Sequence, residues 1–486
     1  MDALAEYQRG IALAQQRRLD EALVALRNAR SLAPASASAH LALGSVLAQV
    51  GQIDEAVAIF RAGMRVAPDD LTLARNYLFG LQFLDNISPQ QMLAEHRAFD
   101  ERFAAPLAES IRPHENDRDA DRRLRIGYVS PCFCDHVQRL FMVPLLRAHD
   151  RANFEIVCFS HAAAPDGWTD LVRSLAHEWC DVSRLSDAQA ADQIRAQRID
   201  IAVDLTMHMA NARPLIFAHK PAPVQIAWLA YPGTTGLRTI DYRLSDPRLD
   251  PPGTQSGKYS EQTILLPDSF WCFDPMTDEP LSASPALHLT ANDHVTFGCL
   301  NAIHKASDRA ILIWANVMRA VPKSRFIMMA PAGSARQRVI DRFARGGVDA
   351  SRIEFVEFQS RDQYLRTFHR IDIALDTVPY NGHTTSLDAL FMGVPPVTLV
   401  GDSVVGRAGL SQLYHLELTE LVARDDAQFV EIARSLAGDL PRLAELRRTL
   451  RDRMKASPLM DINRFARGIE SAYRDAWRRW CAQCRA

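Results

Sequence analysis

The stretch ALDTVPYNGHTTSLDALFMGVPPVTLVGD, residues 374–402, carries the pattern that decides the fold. An apolar run leads into a turn shaped by Pro379 and Gly382, a helical segment follows from Thr384 to Met392, and a second apolar run closes the stretch. Two strand-like runs joined by a helix are typical of a βαβ unit with parallel strands. Ligands bind beyond the carboxyl ends of such strands, so we expect functional side chains in this turn.

Strand-like runs occur in two groups that join near Pro280 to Asn292. The first group is LRIGYVS, FEIVCFS, IDIAVDLT and VQIAWLAYPG, and the second is HVTFGCLN, SRFIMMAP, IEFVEF, IDIALDT and PPVTLVGD. Segments of helix length separate the runs in each group. The pattern therefore predicts two α/β halves, each built on a parallel sheet.

The first seventy residues repeat with a period of 34. Gly10 recurs as Gly44, Pro34 recurs as Pro68, and the triplet Asp-Glu-Ala at residues 20–22 recurs at residues 54–56. This period is typical of tetratricopeptide repeats, which are stacked helical hairpins. Two repeats are fewer than a stable solenoid needs, so we expect them to dock on the following chain. They would form either a groove for peptide or a helical cap or dimer surface, and the sequence leaves both open.

The composition is that of an ordinary globular protein, with 48% hydrophobic and 23% charged residues. The net charge of -2 disfavours nucleic acid as a partner. No stretch approaches the roughly 20 apolar residues that a membrane-spanning helix needs. We therefore expect a cytoplasmic protein that is not an integral membrane protein.

Cysteines and acidic residues do not favour a metal site. A CxxC pair occurs once, at Cys481 and Cys484, whereas a zinc ribbon needs two such pairs. Free thiols are therefore the favoured interpretation. The alternating acids Asp117, Asp119 and Asp121 lie in a charged stretch, which we interpret as a solvated linker.

The opening stretch predicts an anion site. The first backbone N–H groups of the helix after Gly382 have no partner within the helix, and its positive dipole end points beyond the strand. His383 and Thr384 add side-chain donors, so a diphosphate would bind there, with Asp388 one turn further on for a ribose hydroxyl. A threonine at this position is more often a simple helix cap. Lys305, which follows HVTFGCLN, is a surface lysine or a phosphate ligand, and its combination with this turn favours the ligand.

A second candidate residue lies beyond the strand-like run LRIGYVS. His136 follows this run in the loop before a helix. A single loop histidine is commonly a surface or capping residue, and only its position at a strand end favours chemistry.

These motifs make the family recognisable. The matching strings include RIGYVSPCFCDH, FAHKPAPVQIAWLAYPGTTGLRTIDYRLSDP, LNAIHK and DIALDTVPYNGHTTSLDALFMGVPPVTL. Over nearly all of its length the chain resembles the bacterial members of the protein O-linked N-acetylglucosamine transferase family, which includes the SPINDLY proteins. The resemblance implies tetratricopeptide helical repeats followed by a two-Rossmann-half glycosyltransferase of GT-B type. It also implies an inverting reaction without metal or other cofactor, in which a nucleotide sugar donates to Ser and Thr hydroxyls of proteins.

The resemblance predicts that the chain is divided into four segments. They are repeats and linker helices at 1–110, an N-terminal Rossmann-like half at 120–285, a C-terminal nucleotide-sugar-binding half at 290–460, and a C-terminal helix at 461–486. The last segment has the aromatic spacing of an amphipathic helix. It would lie on a membrane surface or, as we favour, pack back on the catalytic halves.

The resemblance also implies residue roles. His136 matches an active-site histidine near the acceptor and the donor phosphate, and it is our candidate for the base. Lys305 matches the lysine that neutralises the leaving diphosphate. The remaining matches are all donor-binding positions: Tyr364 stacks on the base, His383, Thr384 and Thr385 form the diphosphate loop, and Asp388 binds the ribose.

Several positions depart from the family pattern. Cys132 stands where a small or acidic residue is usual, Met207 and Met209 stand where glycine and threonine are usual, Ala230 replaces a glycine, and Ala302 replaces Asn or Gln. Larger side chains near the sugar pocket would shrink it and change the sugar preference.

Three hypotheses follow for function. The first is an active protein O-glycosyltransferase that uses UDP-N-acetylglucosamine, with UDP-glucose or GDP-fucose as alternative donors. In the second, the chain is a non-catalytic scaffold whose repeats recruit a partner. The third is another two-Rossmann enzyme, such as a nucleotide-sugar epimerase or a small-molecule glycosyltransferase, but such an enzyme needs no helical repeats.

Overall fold

The computed structural model describes residues 2–280 and 294–483. Of the junction expected near Pro280 to Asn292, only Pro280 belongs to the described residues. Cys484 also lies outside them. The chain forms two compact units, one of residues 1–87 with 277–454 and the other of residues 88–276 with 455–486.

The repeat region consists of helical hairpins. Its helices are α1 (Ala3–Gln15), α2 (Leu19–Leu32), α3 (Ala37–Gln49), α4 (Ile53–Val66) and α5 (Leu71–Leu81). The repeated glycines lie where paired helices come close. A Cβ atom on Gly10 would overlap the Leu26 side chain, and one on Gly44 would overlap the Phe60 ring. The 34-residue period thus has a packing cause, and the predicted tetratricopeptide architecture is confirmed.

The repeats pack against the second α/β half, with which they share one unit. The Asp20 carboxylate accepts a hydrogen bond from the Ser334 backbone N–H at 2.8 Å and one from its hydroxyl at 2.5 Å. The Arg338 guanidinium donates to the Val50 carbonyl. Two repeats alone cannot bury a continuous core, and these contacts connect them to a larger one.

The first α/β half lies in the other unit. Its helices are α6 (Pro89–Phe99), α7 (Arg139–Ala148), α8 (Gly167–Leu175), α9 (Asp187–Ala196) and α10 (Leu215–Ala218). Its strands are β1 (Leu124–Ser130), β2 (Phe154–Ser160), β3 (Glu178–Asp181), β4 (Ile201–Asp204), β5 (Val224–Ala227), β6 (Tyr242–Ser245) and β7 (Gln262–Leu265). They form a parallel sheet in the order β3-β2-β1-β4-β5-β6-β7.

The second half repeats this topology. Its helices are α11 (Asp308–Ala320), α12 (Ser334–Arg345), α13 (Arg361–Thr367), α14 (Thr384–Phe391), α15 (Ala408–Tyr414), α16 (Asp426–Gly438) and α17 (Leu440–Lys455). Its strands are β8 (Thr296–Cys299), β9 (Arg325–Met329), β10 (Ile353–Val356), β11 (Ile373–Leu375), β12 (Pro396–Leu399) and β13 (Val422–Ala423). The order β10-β9-β8-β11-β12-β13 is that of a dinucleotide-binding sheet, which confirms the predicted two-Rossmann-half fold class.

The last helix, α18 (Ile462–Ala482), packs against the first half. Its Tyr473 hydroxyl lies 3.2 Å from the Tyr128 hydroxyl, and the Glu470 carboxylate bonds His149 at 2.9 Å. Phe465, Tyr473 and Trp477 are buried, so the aromatic face is covered by protein. Among the described residues, no helix is both long and apolar enough to cross a membrane.

The second sheet fixes where its ligand site can form. Strand order reverses between β8 and β11, where Ala374 lies opposite Gly298. In open α/β sheets the crevice at such a reversal is the usual ligand site. The loop that follows β8 and the turn that follows β11 therefore begin side by side.

Candidate functional site

A buried carboxylate organises the turn after β11. Asp376 is 3% exposed, and its Oδ1 accepts the backbone N–H groups of Gly382 at 2.6 Å and of Thr377 at 2.8 Å. Its Oδ2 accepts the Thr398 hydroxyl at 2.7 Å. These bonds close the loop 376–382 onto the end of its own strand and fix the start of α14.

Lys305 lies against the same turn. It ends a short 3-10 turn, Ile303–Lys305, that follows β8. Its ammonium donates to the Asn381 carbonyl at 3.0 Å and lies 4.1 Å from the centre of the Tyr380 ring. The two predicted phosphate-binding elements are thus joined within one unit.

Burial shifts the pKa values of Lys305 and Asp376. It lowers the pKa of Lys305 to about 8, and the nearby charge of Asp376 opposes that shift. Burial also raises the pKa of Asp376 to about 6, against the hydrogen bonds from Gly382, Thr398 and Thr377 and the charge of Lys305. Both groups remain charged at pH 7. The site therefore holds a partly desolvated cation that an anionic ligand would stabilise.

The turn has little room for larger side chains. A Cβ atom on Gly382 would overlap the Ser386 hydroxyl and lie 3.1 Å from Nδ2 of Asn301 and 3.2 Å from Oδ1 of Asp376. Asn301 is 4% exposed, and its amide oxygen accepts no hydrogen bond from the described residues. A buried amide oxygen without a donor is uncommon, and it is available to a hydroxyl or N–H of a ligand.

The predicted diphosphate loop lies at the N-terminus of α14. His383 occupies the cap position, and its carbonyl accepts a hydrogen bond from the Gln412 side chain at 3.1 Å. Burial, together with the charge of Lys305, lowers the pKa of His383 well below its usual range, so the ring is neutral. His383, Thr384 and Thr385 are half-buried. The roles predicted for them in binding a diphosphate stay predictions.

Asp388 makes an ion pair that was not anticipated. It is 1% exposed, and its carboxylate is bound at both oxygens by the Arg361 guanidinium, at 2.5 and 2.6 Å. The Tyr364 hydroxyl is hydrogen-bonded to Asp388 and Thr385, and burial raises the pKa of Tyr364 well above its usual range. The residues predicted to bind ribose and base thus lie together beside the diphosphate loop, with Arg361 as a member that the sequence interpretation missed.

His136 lies in the first half, in the loop between β1 and α7. Its Nδ1 accepts the backbone N–H of Gln138 at 3.2 Å. Burial lowers the pKa of His136, so the ring is neutral at pH 7. A neutral ring that accepts at Nδ1 carries its proton on Nε2. In this arrangement Nε2 offers a hydrogen-bond donor, whereas the predicted role as a base would need an unprotonated nitrogen there.

The positions that depart from the family pattern have different surroundings. Met207 is 1% exposed, has a φ of 48°, and its backbone N–H donates to Asp204. Cys132 and Ala302 are half-buried beyond β1 and β8. An effect of these residues on sugar preference stays a prediction.

No cluster of His, Cys, Asp and Glu in the described part of the chain is arranged to hold a metal ion. Asp121 makes an ion pair with Arg478 at 2.7 Å, and Asp117 accepts the backbone N–H of Asp119. Asp121 is therefore paired with the last helix, α18, and Asp117 with the backbone of the linker itself.

Comparisons with known proteins show which family the chain belongs to. A family model described as glycosyl transferase family 41 matches residues 107–278 and 275–469, and a tetratricopeptide repeat model matches residues 13–76. The chain belongs to glycosyl transferase family 41. Family 41 membership confirms the resemblance found from the sequence, and it makes the chain a glycosyltransferase by family.

Relatives within family 41 include named transferases. The chain is 36% identical over 427 residues to a Petunia hybrida protein named a probable UDP-N-acetylglucosamine–peptide N-acetylglucosaminyltransferase SPINDLY, covering 86% of this chain and 45% of the petunia protein. It is 24% identical over 475 residues to a Caenorhabditis elegans UDP-N-acetylglucosamine–peptide N-acetylglucosaminyltransferase, covering 74% of this chain and 41% of that protein. The chain thus spans less than half the length of these curated relatives.

A solved structure extends the similarity to the whole chain. A mutant of the Thermobaculum terrenum O-GlcNAc transferase matches with a TM-score of 0.92 and 34% sequence identity. The match covers 100% of this chain and 92% of that one. Repeats and both Rossmann-like halves therefore occur together in that protein too.

The shifted pKa of Asp376 gives a test of its buried charge. An acid whose pKa is raised from 3.8 to about 6 on folding contributes stability that is present below pH 3.8 and lost as the pH rises through 6. Asp376→Asn removes this titration. The melting temperature of the variant, relative to wild type, should therefore rise between pH 4 and pH 7 in a thermal-shift series.

Asp402→Asn is the matched control, since Asp402 is exposed and lies three residues after the end of the neighbouring strand β12. Because its side chain is exposed, Asp402→Asn should keep a melting temperature close to that of the wild type. If the melting temperature of Asp376→Asn differed from that of the wild type by the same amount at every pH, a raised pKa at Asp376 would be contradicted.

Proposed function

We propose that the chain is an inverting, metal-independent protein O-glycosyltransferase that transfers N-acetylglucosamine from UDP-N-acetylglucosamine to Ser and Thr hydroxyls of proteins. The observation that carries this proposal is the half-buried Lys305, whose ammonium is bound to the turn before α14 at the strand-order reversal. A preorganised cation there would stabilise the charge of a departing diphosphate. The names of the family 41 relatives support this donor and a protein acceptor.

In the proposed reaction, negative charge develops mainly on the leaving diphosphate. The acceptor oxygen forms a bond to the anomeric carbon while the bond from that carbon to the diphosphate oxygen breaks. The electron pair leaves with the nucleoside diphosphate, and the hydroxyl proton passes to a base or to water. Lys305 would neutralise the developing charge, and the N–H groups at Thr384 and Thr385 would bind the phosphate oxygens.

The donor end of the proposal rests on the ion pair at Asp388. A carboxylate held by Arg361 at both oxygens has a fixed orientation. Its outer lone pairs would accept ribose hydroxyls, and Tyr364 would stack on the base. UDP-glucose and GDP-fucose remain the alternative donors, because none of these contacts involves the sugar.

For the acceptor, the proposal names only a class of substrate. We propose proteins or peptides as acceptors, recognised in part through the repeat region, together with the cytoplasmic location expected from the composition. A scaffold without catalysis is disfavoured, because such a scaffold would have no use for a partly desolvated cation at the strand ends.

Substituting Lys305 tests the catalytic proposal. The purified protein is incubated with UDP-N-acetylglucosamine, UDP-glucose, UDP-galactose or GDP-fucose, and nucleotide release and intact mass are followed. Lys305→Ala should lower turnover on the order of a hundredfold or more while the fold is retained. Since the pKa of Lys305 is about 8, wild-type turnover should also decline above that pH as the lysine loses its charge.

Lys323→Ala is the matched control, because Lys323 is exposed in the same half. It should keep wild-type turnover. Unchanged turnover in Lys305→Ala would contradict the proposal, and silence of the wild type with every donor would favour the scaffold.

Two substitutions of His136 distinguish a donor from a base. If Nε2–H donates to a ligand, His136→Gln should keep part of the turnover, because its amide can also donate, whereas His136→Ala should lose it. The measurement is turnover beside the melting temperature of each variant. Equal, complete loss in both variants would instead favour the base.

A further inference from the structure

The last segment of the repeat region places an aromatic ring next to the phosphate site. Phe83 follows α5 and is 5% exposed. Its ring stacks on Tyr380 with centres 5.1 Å apart and planes at 18°, and it meets the ring of His304 edge-on at 4.8 Å. One side chain of the repeat region therefore contacts both the turn after β11 and the turn after β8.

Both contacts lead directly to Lys305. Tyr380 is the ring over which the Lys305 ammonium lies, at 4.1 Å, and His304 is the residue that precedes it. The carbonyl that binds the ammonium belongs to Asn381, the residue after Tyr380. A shift of the Tyr380 ring would therefore move a cation–π contact and a hydrogen-bond acceptor of the lysine together.

A second repeat residue contacts the same turn. Gly51, which follows α3 with a φ of 78°, lies against Ile303, so that an added Cβ would come within 3.0 Å of its side chain and 3.3 Å of its carbonyl oxygen. Of the three residues in the turn Ile303–Lys305, the first two thus contact the repeats, and the third contacts the phosphate site. The repeats and the turn after β11 hold the turn between them.

We propose that Phe83 is a positioning residue for Lys305, and that the repeat region in this way forms part of the donor site. The inference rests on the proposed function, because it gives Lys305 a role in turnover. Phe83 itself does not touch the donor. It fixes the Tyr380 ring and, through His304, the backbone that carries Lys305.

The proposal explains why the repeats dock on this half. A lysine side chain loses conformational entropy when it is ordered, and this loss is unfavourable. Packing of the repeats against the two turns restricts Lys305 in the folded protein. Less of the donor's binding free energy is then needed to order the lysine. Two repeats that served only to recruit a partner would need no aromatic contact beside the phosphate loop.

The test compares Phe83→Leu, Phe83→Tyr and Phe60→Leu with wild type. Phe60 is buried between α3 and α4 at Gly44, so its replacement weakens the repeats away from Tyr380. Phe83→Tyr keeps an aromatic ring beside a cavity of about 240 Å³ that Phe83 lines. The readouts are kcat, KM for the nucleotide sugar and the pH dependence of kcat.

The pH dependence separates positioning from a general loss of stability. The groups facing Lys305 are Asp376, Cys299, His304, His383 and Tyr380. Without the Phe83 ring, water reaches the lysine, and its pKa should rise from about 8 towards 10.5. The decline of kcat at high pH should therefore move to higher pH in Phe83→Leu.

We expect kcat of Phe83→Leu to fall on the order of tenfold with this alkaline shift, and Phe83→Tyr to restore both. Phe60→Leu should lower the melting temperature and leave kcat and its pH dependence unchanged. Wild-type kcat and pH dependence in Phe83→Leu, or the same changes in Phe60→Leu, would overturn the inference while the proposed function stands. Absence of turnover in the wild type would overturn the proposed function and the inference with it.

Discussion

The buried carboxylate of Asp376 is the group on which the site depends. A buried charge is costly unless it is fully hydrogen-bonded or paired. Three donors satisfy it from Gly382, Thr377 and Thr398, and the ammonium of Lys305 lies close enough to act on its charge. The same contacts close the turn, aim the start of α14 and keep a cation at the strand ends. One residue thereby links the local chain geometry to the electrostatics of the site.

The side chains of the site hold one another in place. Asp388 is held by Arg361, Tyr364 bonds Asp388 and Thr385, and Lys305 is held by a carbonyl and a ring. Donors that are already oriented need no rearrangement when charge develops on a leaving group. Such order at a strand-order reversal, in a chain of family 41, supports the role in sugar transfer proposed for Lys305.

The sequence predicted much of this because some signals are local. The 34-residue period, the strand-like runs and the turn at Gly382 specified the repeats, the two sheets and the position of Lys305 beside the turn. The strands Glu178–Asp181, Tyr242–Ser245 and Gln262–Leu265 were missed because their polar residues hide the apolar pattern. Pairing across distant segments was not predictable. Arg361 meets Asp388 from 27 residues away, and Phe83 meets Tyr380 from another region of the chain.

Asp376 carries a local signal in the sequence. It stands at the end of the run IDIALDT, where a carboxylate before a glycine-containing turn can accept the free N–H groups of that turn. The pattern was visible, but its burial and its relation to Lys305 required the tertiary structure.

The most direct test of the central claim is the binding of UDP against uridine, measured by thermal shift at pH 7 and pH 9. If the site is a preorganised anion site centred on Lys305, UDP should raise the melting temperature at pH 7, uridine should have little effect, and the effect of UDP should shrink at pH 9. Equal shifts from UDP and uridine, or an undiminished effect of UDP at pH 9, would contradict it.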